Sequence, residues 1–219
     1  MKLYVAPYAP NPRRVSMFVA EKGIAGIETV QVDLSKGVQR EPWFSSLNPL
    51  SQVPALELDD GSVLTESRAI CVYLENKFPE PNLMGVSPEE RAFIEMWDRR
   101  VELGLMLPMM HWVRHAHPAL AAVEKNQTPG VASYNEMSAN KFAAWLDGVL
   151  ADRPWIAGDR FTVADITAAC GMDFAKLMKW RPENAHPKFV WLPIFQEVFD
   201  GPETQGGREQ PASPRSSFG

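Results

Sequence analysis

Four residues of one short loop set what chemistry this chain can do. Ala9-Pro10-Asn11-Pro12 follows a strand-like run, Lys2 to Ala6, and precedes a helical one. In a redox βαβ unit this place often holds Cys-x-x-Cys. Ala9 and Pro12 fill both cysteine positions here, so dithiol chemistry by the chain's own sulfurs is not expected. What remains is a helix N-terminus, whose free N–H groups and partial positive charge favour an anion. Asn11 adds a side-chain amide, and two readings of it stand. It caps the helix, with Pro12 at the first helical position, or it donates to a ligand thiolate. Gln52-Val53-Pro54 is the second signal: either a simple loop-ending proline, or a cis-proline that frees the Val53 main chain to pair with an extended peptide. Thr65-Glu66-Ser67-Arg68 is the third. It is a helix cap, or a site for an α-amino acid head group, with Glu66 accepting from the ammonium and Ser67 and the helix N-terminus holding the carboxylate.

These residues need a scaffold, and the first eighty residues alternate strand and helix patterns. After the loop, Val15, Phe18, Val19 and Lys22 recur at helical spacing, and Gly23 supplies a stop. Val30, Val32 and Leu34 alternate as a strand does. Ala55 to Leu58 and Ser62 to Leu64 flank Asp59-Asp60-Gly61, a hairpin signal. A second helix starts near Glu66, with Ile70, Tyr73, Leu74 and Phe78 as its buried stripe. The order is β-α-β-loop-β-β-α, over residues 1–78.

Closely spaced prolines, Pro79 and Pro81, mark a linker over 79–86. Strand signals then stop. Ser87-Pro88-Glu89-Glu90 is a capping box, and Phe93, Met96, Trp97, Arg100 and Val101 carry that helix onward until Pro108 and Pro118 kink or end it. Ser133 to Leu150 reads as a second helix, and Thr162-Val163-Ala164-Asp165 caps a third. Residues 87–200 are thus expected to be all helical, and 201–219, rich in Gly, Pro, Ser and charge, to form a flexible tail.

The length allows one large domain or two small ones, and 45% hydrophobic, 22% charged and 10% aromatic over 219 residues is a globular mixture rather than a disordered one. A net charge of −5 and a pI near 5.5 argue against nucleic acid or an anionic membrane as the main partner. No apolar run approaches the roughly 18 residues of a membrane span, and Met1 to Ala6 runs into a strand pattern without a signal h-region. Two cysteines, Cys71 and Cys170, make neither a metal cluster nor a disulfide framework. A cytoplasmic protein without a metal is expected.

Taken in order, these signals resemble the cytosolic glutathione transferases. The likeness runs through the β1–loop–helix start, Asn48-Pro49-Leu50-Ser51-Gln52-Val53-Pro54-Ala55-Leu56, Asp60-Gly61, Glu66-Ser67-Arg68-Ala69-Ile70, the Pro79/Pro81 linker and Gly158-Asp159-Arg160-Phe161-Thr162-Val163-Ala164-Asp165-Ile166. It implies an α/β plus all-α fold: an N-terminal thioredoxin-like domain that binds glutathione as co-substrate, then a helical domain for the second substrate. It implies that Glu66 and Ser67 hold the γ-glutamyl group, that Val53 before a cis-Pro54 holds the cysteinyl backbone, and that Gln39 and Gln52 hold the glycyl carboxylate. The Thr162–Asp165 box is implied to be a folding cap.

The thiol-activating position departs from the common family pattern. Theta-like members place a catalytic serine where Ala9 stands, and other classes use tyrosine or cysteine nearby. Asn11 resembles an asparagine used in the Nu class. The Val-Pro-Ala-Leu-Glu-Leu-Asp-Asp-Gly stretch and the Arg14-Val15 spacing resemble a fungal theta-related group without the usual serine or tyrosine. That group polarises the thiol through a water held by a serine and a histidine on the first helix of the second domain. The corresponding helix here carries His111 and His115, one turn apart, with Met109 and Met110 rather than serine beside them. Surface polar residues are the other reading of both histidines, and Tyr8 is a further candidate. The activity implied is conjugation of glutathione to an apolar electrophile held against side chains such as Met106, Met109, Met110 or Trp112, by a homodimer. Disulfide reduction, isomerisation or ether cleavage by the same residues stand as alternatives, as does a non-catalytic interaction module.

Overall fold

The computed structural model describes residues 1–6 and 8–180. The expected tail, 201–219, and the last part of the helical half, 181–200, lie outside the described residues. Four short strands, β1 (Lys2–Val5), β2 (Glu28–Gln31), β3 (Ala55–Glu57) and β4 (Val63–Thr65), form one sheet in the order β2-β1-β3-β4. β1 pairs parallel with β2 and antiparallel with β3, and β4 closes the hairpin with β3. Helices α1 (Pro10–Glu21) and α3 (Ser67–Lys77) supply Val15, Phe18, Ile70, Cys71 and Leu74 to the core shared with Leu3, Val5 and Leu56. A six-residue helix, α2 (Pro42–Leu47), covers a second, smaller cluster of Tyr4, Val32, Phe44 and Ala55. Strand alternation puts neighbouring residues on opposite faces, so the sheet is covered on both sides. This is a thioredoxin-like domain, and the stretch between β2 and β3 that the pattern marks as strand end and loop carries short 3-10 turns at Leu34–Lys36 and Val38–Arg40 as well as α2.

The helical half follows as α4 (Pro88–Val101), α5 (Leu107–Ala116), α6 (Pro129–Val149) and α7 (Val163–Ala175). Its apolar residues join those of α1 and α3 in one continuous core. Ser87 caps α4 by accepting from Glu90 N–H at 3.1 Å, while Glu90 accepts from Val86 N–H at 2.8 Å. The Asp165 carboxylate holds the start of α7. It accepts from Thr162 N–H (2.9 Å), the Thr162 hydroxyl (3.1 Å) and Ile156 N–H (2.9 Å). No described helix is long and apolar enough to cross a membrane.

Two expectations about helix ends are corrected. α1 starts at Pro10 with Ala9 as its N-cap, and Asn11 makes no capping bond. Prolines at 10 and 12 both fit the first turn, whose N–H groups have no intrahelical acceptor anyway, so the sequence permits either start. The break near Pro108 is a π-helical stretch, Glu102–Met106, that joins α4 to α5. A wider turn there accommodates a residue that lacks an N–H and crowds the preceding carbonyls. The stretch is tightly packed: a methyl group on Gly171 of α7 would lie 2.8 Å from Met106 Cα.

Candidate functional site

α1 and α3 direct their N-termini to the same place. Ser67, the first residue of α3, donates its hydroxyl proton to Asn11 Oδ1 at 3.2 Å across 56 positions of sequence. Both helix starts concentrate unpaired N–H groups, which makes the junction suited to anions. Glu66 stands just before α3 at φ +63°, in the left-handed region that non-glycine residues rarely adopt. Its side chain makes no capping bond and is exposed.

Val53 stands at the head of β3, and the Val53–Pro54 peptide is cis. The loop before it is held by Asn48, a buried residue whose Nδ2 donates to Gln52 carbonyl oxygen (2.8 Å) and whose Oδ1 accepts from Leu50 N–H (3.1 Å). Gln52 is exposed, while Gln39 is buried, with its Oε1 lacking a hydrogen-bond partner among the described residues. Tyr8 is 84% exposed at φ +64°. Tyr4 packs from the strand, donates to Glu57 Oε2 at 2.7 Å, and has its hydroxyl pushed up to about 12 by burial and then by Glu57.

Both predicted histidines stand on α5. His115 Nδ1 accepts from Thr128 N–H at 3.2 Å, tying α5 to the start of α6, and the two rings stack with centroids 6.4 Å apart. Burial first, then Arg114 and His115, hold the His111 imidazole below its ordinary range. At about 1.5 Å per residue, His111 and His115 lie roughly 7 and 13 Å along the helix axis from Met106. The expected wall of the second-substrate site is largely core. Met106 and Met109 are fully buried and Trp112 nearly so, because they occupy the inward stripe of α5 and its approach; Met110 is half-buried.

Beneath Asn11 and Ser67 lies a set of buried charges. Arg14 is completely buried; its Nη1 donates to Ser67 Oγ (3.2 Å), and its Nη2 to Met106 Sδ (3.0 Å), with Glu102 Oε1 at 3.5 Å from Nη1. Arg68 pairs with Glu95 and, at 2.6 Å, with Asp98, which also accepts from the Thr167 hydroxyl. Burial pushes the Asp98 carboxyl up, against the pull of Arg68 and Arg14. The available signal was spacing: Arg14, Phe18 and Lys22 recur every four residues on the buried stripe of α1.

The chain's own sulfurs are inert. Cys71 and Cys170 are fully buried, and burial pushes both thiols up to about 12. Among the described residues no group of three or more His, Cys, Asp or Glu side chains is arranged to hold a metal ion. A thiolate used here must therefore arrive with the ligand.

Comparison with known proteins assigns a family. The model described as "Glutathione S-transferase, N-terminal domain" matches residues 8–77, and "Glutathione S-transferase, C-terminal domain" matches 109–191. The chain is 35% identical over 200 residues to Glutathione S-transferase 2 of Saccharomyces cerevisiae, covering 90% of this chain and 86% of that protein. Among solved structures, a glutathione S-transferase domain-containing protein of Marinobacter aquaeolei superposes with a TM-score of 0.84 at 39% identity, covering 90% of this chain and 97% of the other. Gtt2 of Saccharomyces cerevisiae gives a TM-score of 0.82 at 34% identity, over 91% of this chain and 100% of that one.

Proposed function

The chain belongs to the glutathione S-transferase family, and from that premise we propose that it activates the thiol of glutathione at the start of α1 and transfers it to an electrophilic carbon of a small apolar substrate. The observation that carries this reading is the meeting of the α1 and α3 N-termini, bridged by the Ser67–Asn11 hydrogen bond of 3.2 Å. The γ-glutamyl carboxylate sits on the main-chain N–H of Ser67 and the other first N–H groups of α3, and Glu66 takes the ammonium. Val53 pairs with the cysteinyl backbone, and Gln52 and the buried Gln39 face the glycyl carboxylate. The sulfur then lies at the α1 N-terminus within reach of the Asn11 amide.

A cysteine-like thiol ionises near 8.5, and holding it about two units lower needs roughly 2.7 kcal/mol of preference for the thiolate. A helix N-terminus and one or two donors supply energies of that order. The thiolate attacks the electrophilic carbon, a C–S bond forms, and in a displacement the leaving group departs with its bonding pair. The thiol proton passes to solvent. Tyr8, exposed on the same loop, is a further donor within this reading. The enzyme acts as a cytoplasmic homodimer.

A second turnover, reduction of a disulfide by two glutathiones, is favoured by one observation: Ala9 removes the hydroxyl of the usual serine while Asn11 remains. The deciding experiment compares glutathione-dependent turnover of a haloarene with that of hydroxyethyl disulfide. Faster haloarene conjugation supports the transferase reading, and disulfide turnover alone replaces it. Glutathione binding with neither turnover would point to an interaction module.

A further inference from the structure

The core-facing stripe of α1 carries an arginine where an apolar side chain would pack without cost. Arg14 lies one turn before Phe18, and both are 0% exposed. A buried guanidinium costs stability unless its donors are used, and Arg14 Nε has no hydrogen-bond partner among the described residues. The terminal nitrogens are used, and they join the two halves of the molecule. Nη2 donates to Met106 Sδ and Nη1 lies 3.5 Å from Glu102 Oε1, both on the π-helical stretch, while Nη1 also donates to Ser67 Oγ at the head of α3.

A guanidinium can only donate. Arg14 therefore takes a lone pair of the Ser67 oxygen, and the hydroxyl proton must find its acceptor elsewhere. That acceptor is Asn11 Oδ1, at 3.2 Å. An amide whose oxygen is held in this way turns its NH₂ group in the other direction. We propose that Arg14 is a positioning residue of the glutathione site: through Ser67 it fixes the Asn11 amide with nitrogen outward, as a donor to the sulfur rather than an acceptor that repels it. This rests on the reading that the sulfur lies at Asn11 and the α1 N-terminus. Glu102 sits opposite the guanidinium charge, so Arg14's contribution is the direction of a hydrogen-bond chain more than a positive field.

The test is the ionisation of bound glutathione, read from thiolate ultraviolet absorbance at saturating glutathione, in wild type, Asn11→Ala, Arg14→Met and the double variant. Asn11→Ala should raise the thiol pKa by about one unit, a tenfold loss of thiolate at a given pH. Arg14→Met should raise it equally, and the double variant no further. Ser67→Ala, which leaves the arginine and its charge in place, should raise it too, and it carries the test if Arg14→Met does not fold. Additive shifts in the double variant would overturn the proposal, since Arg14 would then act as an independent charge. An unshifted thiol in Ser67→Ala or Arg14→Met would overturn it as well. Those failures leave the wild-type thiol depressed, whereas failure of the underlying reading shows as an ordinary thiol pKa in the wild type itself.

Discussion

At the scale of single residues, the site depends on hydrogen bonds whose partners are far apart in sequence. Ser67 accepts from Arg14 and donates to Asn11, 53 and 56 positions away, which leaves its main-chain N–H for the γ-glutamyl carboxylate in the proposed complex. Glu66→Ala should weaken glutathione binding roughly tenfold, the order expected for losing one charge-assisted hydrogen bond to the ammonium. Calorimetric titration checks this, and unchanged affinity would move the ammonium elsewhere. Asn11 and Ser67 were each legible in the sequence as a local signal at a helix start. Arg14 was not, because nothing near it reports that its partners, Ser67, Glu102 and Met106, lie as far as 92 residues away. The inertness of Cys71 and Cys170 is likewise a product of tertiary burial, which pushes both thiols up to about 12.

At the scale of elements, local chemistry read well and helix junctions read poorly. The box at Thr162 and Asp165 is written in four consecutive residues, and it forms as such a pattern should. The β3–β4 hairpin around Asp60-Gly61 is equally local. The π-helical stretch at Glu102–Met106 has no comparable sequence signature, which is why Pro108 alone suggested a simple kink. Met106, Met109 and Trp112, read either as a ligand wall or as core, face the core. Asp165 carries a pH signature. Burial raises its carboxyl from the ordinary value to about 6, against the pull of its three donors. The folded state then holds a proton between about pH 4 and 6 that the unfolded chain has released, so this group's stabilisation is present below pH 4 and is lost as pH rises through 6. Urea unfolding of wild type and Asp165→Asn should show the wild-type advantage shrinking across that window, by on the order of 2–3 kcal/mol. A constant difference across it would mean that Asp165 ionises normally.

At the scale of the whole molecule, the two halves share one core and one set of buried charges. Arg14 joins α1 to the π-helical stretch, Arg68 joins α3 to Asp98 of α4, and Lys22 joins α1 to Glu75, whose Oε1 in turn accepts from Leu83 and Met84 N–H. A ligand that binds only the folded chain should therefore raise the unfolding transition of both halves together. At a hundred times its dissociation constant, glutathione adds about 2.7 kcal/mol, or roughly 5–10 °C for a chain of this size. Differential scanning calorimetry should show a single shifted transition. A shift confined to one of two transitions would mean that the halves unfold independently. Sedimentation at twice the 24.5 kDa chain mass is the result that the proposed homodimer requires.

The proposed site turns the thiol of glutathione into a thiolate with Ala9 where the usual serine would stand. The measurement that meets this claim most directly is a pH titration of enzyme-bound glutathione by ultraviolet difference absorbance. The site described here predicts a midpoint about two units below that of free thiol. A bound thiol that titrates at its free value would contradict it.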